Sequence, residues 1–242
     1  TGGVELNNLT DEWLGFALAG PRSRELLARL AGEDVGNQAL PFMSARRMEV
    51  AEAAAIVGRL SVSGELGYEI YVPALHLRSL YARIVEAMED LDARFFGVYA
   101  LLSLRLEKSF GIWSREFSRD YTPTMSGLSR FVCYNKPSFV GRDAALRDRD
   151  SPPSRRLVTL AVDATDADAS GFEPIWCGDR LVGYTTSGGY GHCVGQSLAM
   201  GYVDTSLCPA DAPLEVAIVG ERRPARILGA MPYNPVGDRM RM

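Results

Sequence analysis

The sequence predicts an α+β body followed by a small antiparallel β-barrel, and three observations carry that prediction. Strand-like runs crowd into residues 43–72, and a strong amphipathic helical period follows them. Beyond about residue 155 the helical period is lost, and short apolar runs alternate with Gly, Pro and Asp. The 242 residues are 47% hydrophobic and 23% charged, ordinary proportions for a folded globular chain.

Gly20-Pro21 followed by Ser23, Leu26, Leu27 and Leu30 reads as a short helix, because Pro suits a first helical turn and the leucines share one face; Gly32 can end it. Residues 43–50 and 54–62 read as strands. A third, 68–72, follows the turn-like Ser63-Gly64-Glu65-Leu66-Gly67. Leu77, Leu80, Tyr81, Ile84, Val85 and Met88 recur at three- and four-residue steps and predict an amphipathic helix covering one face of those strands. Residues 98–107 are apolar nearly all round, with Arg105 and Glu107 the only charges, and predict a buried helix whose charges need partners. The polar stretch 147–154, with Pro152 and Pro153, marks a boundary between a mixed α+β part, residues 1–150, and a barrel part, residues 151–242. In the latter, runs at 156–162, 180–186, 198–203, 214–219 and 224–228 are the expected barrel strands.

Twenty-six basic residues against thirty acidic ones give a net charge of -4, so there is no basic field for nucleic acid or an anionic membrane. No apolar run approaches the roughly 20 residues of a membrane-spanning helix, and no signal segment opens the chain, which reads as cytoplasmic, or mitochondrial-matrix in a eukaryote. The start at Thr1 rather than Met fits truncation or processing. Cys133, Cys177, Cys193 and Cys208 are widely spaced, with only His76 and His192 to assist, so no metal site is expected; the cysteines read as buried free thiols.

No Gly-x-Ser-x-Gly elbow occurs, which sets hydrolysis aside. Gly188-Gly189-Tyr190-Gly191 has the wrong spacing and setting for a dinucleotide fingerprint, and reads as a tight loop that leaves Tyr190 open to a ligand. In 68–72, strand alternation puts Tyr68, Ile70 and Val72 on one face and Glu69 and Tyr71 on the other, a carboxylate beside an aromatic ring.

Ser63-Gly64-Glu65-Leu66-Gly67-Tyr68-Glu69 resembles the Thr-Gly-Glu-x-Gly-x-Glu signature of the glycine-cleavage T-protein, or aminomethyltransferase, family. Ala100-Leu101-Leu102-Ser103-Leu104-Arg105-Leu106-Glu107-Lys108 resembles that family's helix in the variant joined to dimethylglycine and sarcosine dehydrogenases. Phe139-Val140-Gly141-Arg142-Asp143-Ala144, Thr186-Ser187-Gly188-Gly189-Tyr190-Gly191 and Ser197-Leu198-Ala199-Met200-Gly201-Tyr202-Val203 follow in family order, so the resemblance covers nearly the whole chain.

The resemblance implies a T-protein-like fold lacking its first part and a tetrahydrofolate site that receives a one-carbon unit from a small methylated amine. FAD would belong to a flavin domain of a parent protein, covalently joined or associated. The family's pterin-binding glutamate falls on Glu69, whose ionised carboxylate can accept two adjacent N–H donors. Trp113 falls where the T-proteins carry a ligand-side tyrosine, with Tyr190 and Arg105 as further cofactor-binding candidates. There are departures. Val62 replaces a tyrosine, Leu101 replaces an arginine, and the family's catalytic aspartate would lie upstream of Thr1; aligning Asn8 with it requires a long deletion before Trp13. Catalytic residues are therefore unassigned, and the isolated chain is expected to be inactive in one-carbon transfer. A free-standing aminomethyltransferase or methyl-transferring demethylase, and a non-catalytic folate-binding scaffold, are the alternatives.

Overall fold

The computed structural model describes residues 3–151, 153–206 and 212–242, so Pro152 and Cys208 lie outside the described residues. Residues 3–97 with 236–242 form one compact unit, and residues 98–235 form a second.

The first unit is built on an antiparallel sheet of β1 (Trp13–Ala19), β2 (Ser44–Val50), β3 (Ala53–Arg59) and β4 (Gly67–Pro73), in the order β1-β4-β3-β2. Helices α1 (Ser23–Leu30) and α2 (Leu77–Met88) cover one face. Leu26, Leu27 and Leu30 of α1 and Leu80 and Ile84 of α2 join Tyr68, Ile70, Val72, Val57 and Val50 in one buried cluster. The expected alternation in β4 holds: Tyr68, Ile70 and Val72 are buried, Glu69 is half-buried and Tyr71 exposed. β1 was not expected as a strand. Its run Trp-Leu-Gly-Phe-Ala-Leu-Ala lacks the polar alternation that marks a half-buried strand, and only its pairing with β4, Trp13 opposite Pro73 through Ala19 opposite Gly67, reveals it.

The second unit opens with α3 (Val98–Glu107) and continues through α4 (Arg142–Asp150) into β5 (Arg155–Val162), β6 (Pro174–Cys177), β7 (Arg180–Gly191), β8 (Gln196–Asp204), β9 (Leu214–Ile218) and β10 (Glu221–Ile227). These six strands close an antiparallel barrel in the order β10-β5-β8-β7-β6-β9. Leu160, Ile175, Val203, Val216 and Ile218 fill its core. The short β6 escaped the sequence reading, since four residues opening on Pro174 give too little pattern.

Three expectations are corrected. Helix α3 is buried only at Arg105, Leu106 and Glu107, while Val98 and Tyr99 are 63% and 87% exposed; apolar composition marks a wish for cover, and only its last turns meet β7 and β8. Gly188–191 is strand rather than loop, paired to β8 from Gly188 opposite Ala199 to Gly191 opposite Gln196. Gly188 is there because a Cβ would stand 2.2 Å from the Ala169 carbonyl oxygen. Finally, Cys133 and Cys193 are exposed and Cys177 half-buried, so these three thiols are not core hydrophobes. On this packing, Gly188→Val should destabilise the second unit by about 1–3 kcal/mol through overpacking, read as a lower urea midpoint; an unchanged midpoint would contradict the close approach of Ala169.

Candidate functional site

The family signature builds a tight turn before β4. Ser61 Oγ accepts the Gly64 N–H at 3.0 Å and Ser63 Oγ accepts the Glu65 N–H at 3.3 Å, while Gly64 takes the left-handed conformation at φ +87° that favours glycine. Glu65 Oε1 is 3.0 Å from Arg239 Nη1, so this carboxylate has a structural partner. A Cβ on Gly67 would lie 2.8 Å from the Leu60 carbonyl oxygen, which fixes glycine at the entry to β4.

Glu69 stands on the sheet face opposite the helices. Its cross-strand neighbours are Ala17 on β1 and Gly58 on β3, and Gly58 in turn faces Ala45 on β2. The row Ala17–Glu69–Gly58–Ala45 is thus a floor of small side chains with one carboxylate rising from it, room that a flat ligand can use. Glu69 Oε2 accepts the Tyr71 hydroxyl, and among the described residues Oε1 has no hydrogen-bond partner. That hydrogen bond, with partial burial, pushes the Tyr71 phenol up to about 12.

The other sequence candidates belong to the second unit. Trp113 is 84% exposed, an aromatic face with no ring partner among the described residues. Tyr190 lies on β7, edge-on to His192 at 5.1 Å, and its carbonyl accepts the Ser103 hydroxyl. Arg105 is enclosed. Its Nη1 donates to Glu116 Oε2 at 3.0 Å and to the Phe110 carbonyl at 3.1 Å. The ion pair at the buried end of α3 is therefore Arg105–Glu116. Glu107 instead accepts the Cys193 and Val194 N–H groups at 2.6 and 3.1 Å, holding the β7–β8 turn.

Glu116 is the residue that sequence reasoning missed. It is fully buried, receives the Thr186 hydroxyl at 2.6 Å and the Ser187 hydroxyl on Oε1, and takes the Ile112 N–H at 3.0 Å on Oε2. Burial alone would raise its carboxyl, but the hydroxyls of Ser187 and Thr186, the Arg105 guanidinium and the Ile112 N–H outweigh it and hold the group below the usual carboxylate range. The one available signal was the demand of buried Arg105 for an acid, which names a need without naming Glu116.

Comparison with known proteins places this architecture. The family model described as the GCVT N-terminal domain matches residues 1–136, and that described as the glycine cleavage T-protein C-terminal barrel domain matches residues 155–234. The chain belongs to the glycine-cleavage T-protein family. It is 38% identical to mitochondrial dimethylglycine dehydrogenase of Mus musculus over 93% of this chain and 26% of that protein. It is 29% identical to an aminomethyltransferase of Caldanaerobacter subterraneus subsp. tengcongensis over 89% of this chain and 57% of that one. The crystal structure of glycine cleavage system aminomethyltransferase T from Bartonella henselae superposes with a TM-score of 0.77 at 26% identity, covering 91% of this chain and 59% of that chain. The chain thus spans about a quarter of the length of the dehydrogenase it matches.

Two outcomes test these contacts. Arg105→Met should cost about 3–5 kcal/mol in chemical unfolding, because Glu116 is left buried without its cation; Glu116→Gln added to it should recover part of the loss, and a single variant of wild-type stability would count against the pair. Tyr71 is raised in the folded state, so its contribution is fully present below the ordinary tyrosine pKa of about 10 and disappears as pH climbs through about 12. The stability difference between wild type and Tyr71→Phe should therefore shrink across that interval, whereas a constant difference would remove the Glu69 hydrogen bond from the account.

Proposed function

We propose that this chain is the tetrahydrofolate-binding, one-carbon transfer region of a protein related to dimethylglycine and sarcosine dehydrogenases. The observation that carries the reading is the Glu69 face: a family-matched carboxylate on a floor of small residues, with one oxygen held by Tyr71 and the other uncommitted. An ionised carboxylate so placed suits the paired N–H donors of a pterin, which it can accept in charge-assisted hydrogen bonds. Tetrahydrofolate, once bound, supplies the nitrogen nucleophiles that take up the one-carbon unit.

This chain's own part is binding and orientation. Glu69 holds the pterin edge, and Tyr71, by donating to Oε2, fixes the carboxylate's rotamer. In the second unit, taken by itself, Trp113 offers an exposed ring for stacking, Tyr190 is a second aromatic, and Arg105 is paired with Glu116. A methylated amine is the carbon source in this reading, and a flavin domain of the parent is its oxidant. No carboxylate in this chain is assigned to activate the carbon, so the isolated chain is expected to bind folate without transferring carbon.

The experiment is calorimetric titration of the chain with tetrahydrofolate. A hydrogen bond to a charged group contributes roughly 1.5–3 kcal/mol, so Glu69→Gln should weaken binding by about 10- to 100-fold. Equal affinities for wild type and variant would overturn the assignment of Glu69.

A further inference from the structure

Along β1 runs a groove of about 820 Å³, bounded by Phe16, Tyr81, Ile84, Met88, Phe95 and Phe96. Its wall includes every residue from Gly15 to Gly20. A cavity on one face of a strand touches alternate residues, so an unbroken run means that the groove lies against the strand's edge. Among the described residues that edge is unpaired, because β1 ends the sheet and meets only β4. It also carries no charge, proline or bulge of the kind that normally blunts an edge. The groove is therefore shaped and equipped for one more strand.

The chain immediately before β1 supplies one. Leu9 O accepts both the Glu12 N–H at 3.0 Å and the Trp13 N–H at 3.1 Å, Asn8 Oδ1 accepts the Thr10 N–H at 3.0 Å, and Asp11 takes φ +68°, so residues 8–13 already turn back on themselves. The hydrogen-bond phase agrees. Gly20 N–H donates to Leu66 O and Glu12 O accepts Ala74 N–H, so the even residues of β1 bond toward β4 and the odd ones point to the free edge. Trp13, an odd residue, already donates to Leu9 in that direction.

Continued from Leu9 opposite Trp13, the register sets Asn7 against Gly15, Glu5 against Ala17, Leu6 against Phe16 and Val4 against Leu18. Phe16 and Leu18 face the apolar core side. Val4 and Leu6 are 83% and 92% exposed in this structure. The alternation Val4-Glu5-Leu6-Asn7 thus puts its apolar side chains into the groove and its polar ones on the opposite face.

The geometry points to residues 3–9 as a strap that adds to the free edge of β1 as a fifth strand, with Val4 and Leu6 filling the groove beside Phe16 and Leu18. The occupant of this cavity is the chain itself rather than a small ligand. Closure also brings Glu5 into the Ala17–Glu69–Gly58 row and Asn7 into the row of Tyr71, so the strap lengthens the polar face by two side chains; that consequence, unlike the strand itself, rests on the folate reading of Glu69.

Hydrogen exchange of the whole chain, without folate, tests the strap independently of that reading. The amides of Gly15, Ala17 and Ala19 should be protected, and the double variant Val4→Asp/Leu6→Asp should speed their exchange by on the order of 10-fold while leaving β3 unchanged. Intrinsic exchange rates at these three amides in the wild type would overturn the proposal. A second measurement stands apart from folding losses. Residues opposite one another at a non-hydrogen-bonded position lie about 4.5 Å apart at Cα, close enough for a disulfide. Leu6→Cys with Phe16→Cys should cross-link under mild oxidation, as mapped by mass spectrometry, and Glu5→Cys with Phe16→Cys should not. Equal yields, or no link in either, would show that the register is wrong.

Discussion

The second unit depends on the burial of one guanidinium. Arg105 is almost wholly removed from water, and a charge in that position is tolerated only where oppositely charged and hydrogen-bonding partners surround it. Glu116 meets it from the loop after α3, and Thr186 and Ser187 of β7 then meet Glu116. Tyr202 of β8 adds its hydroxyl to the Glu116 carbonyl at 2.8 Å. The same helix end presents Glu107 to the β7–β8 turn and Lys108 Nζ to the Tyr233 and Asn234 carbonyls at 3.0 and 2.7 Å. Three charged residues in four positions thus bring the loop after α3, the β7–β8 turn and residues 233–234 onto one helix end. Such a network contributes less to net stability than to uniqueness, since an alternative packing would strand a charge.

The first unit works by the opposite rule. Its helices take one face of the sheet, and on the other the row through Glu69 holds only Ala17, Gly58 and Ala45 beside it, so Glu69 stands without a crowd of partners. A carboxylate between Ala17 and Gly58 gains little from its own fold. What it gains is accessibility with a fixed direction, because Tyr71 binds one oxygen and leaves the other. That combination is expensive to keep unless something binds there.

How much of this was legible in the sequence follows from how local each signal is. The α2 period and the β4 alternation are written within a dozen residues, and both were read correctly. β1 and β6 are set by their neighbours, and their own sequences say little. Gly188–191 was misread because glycine usually interrupts strands, whereas here the nearby Ala169 carbonyl and the Glu107 carboxylate leave room for nothing larger. Glu69 was reached through family likeness, and the structure adds what likeness could not, the small-residue row around it. Glu116 was beyond reach, since it sits in an irregular loop and its role is created by two residues seventy positions away.

Arg105 and Glu69 make the contrast useful. Both are charged, and both match the family at sequence level, yet their surroundings separate them. The Arg105 guanidinium spends its Nη1 contacts on Glu116, Phe110 and the Met200 sulfur, all within the protein. Glu69 leaves one carboxylate oxygen without a hydrogen-bond partner among the described residues, in a strand row that holds no other polar side chain. A buried charge whose partners are internal explains itself through folding. A half-exposed charge with an uncommitted acceptor and a cleared floor does not, and it is that unexplained residue, rather than the better-connected one, around which a ligand site is best sought.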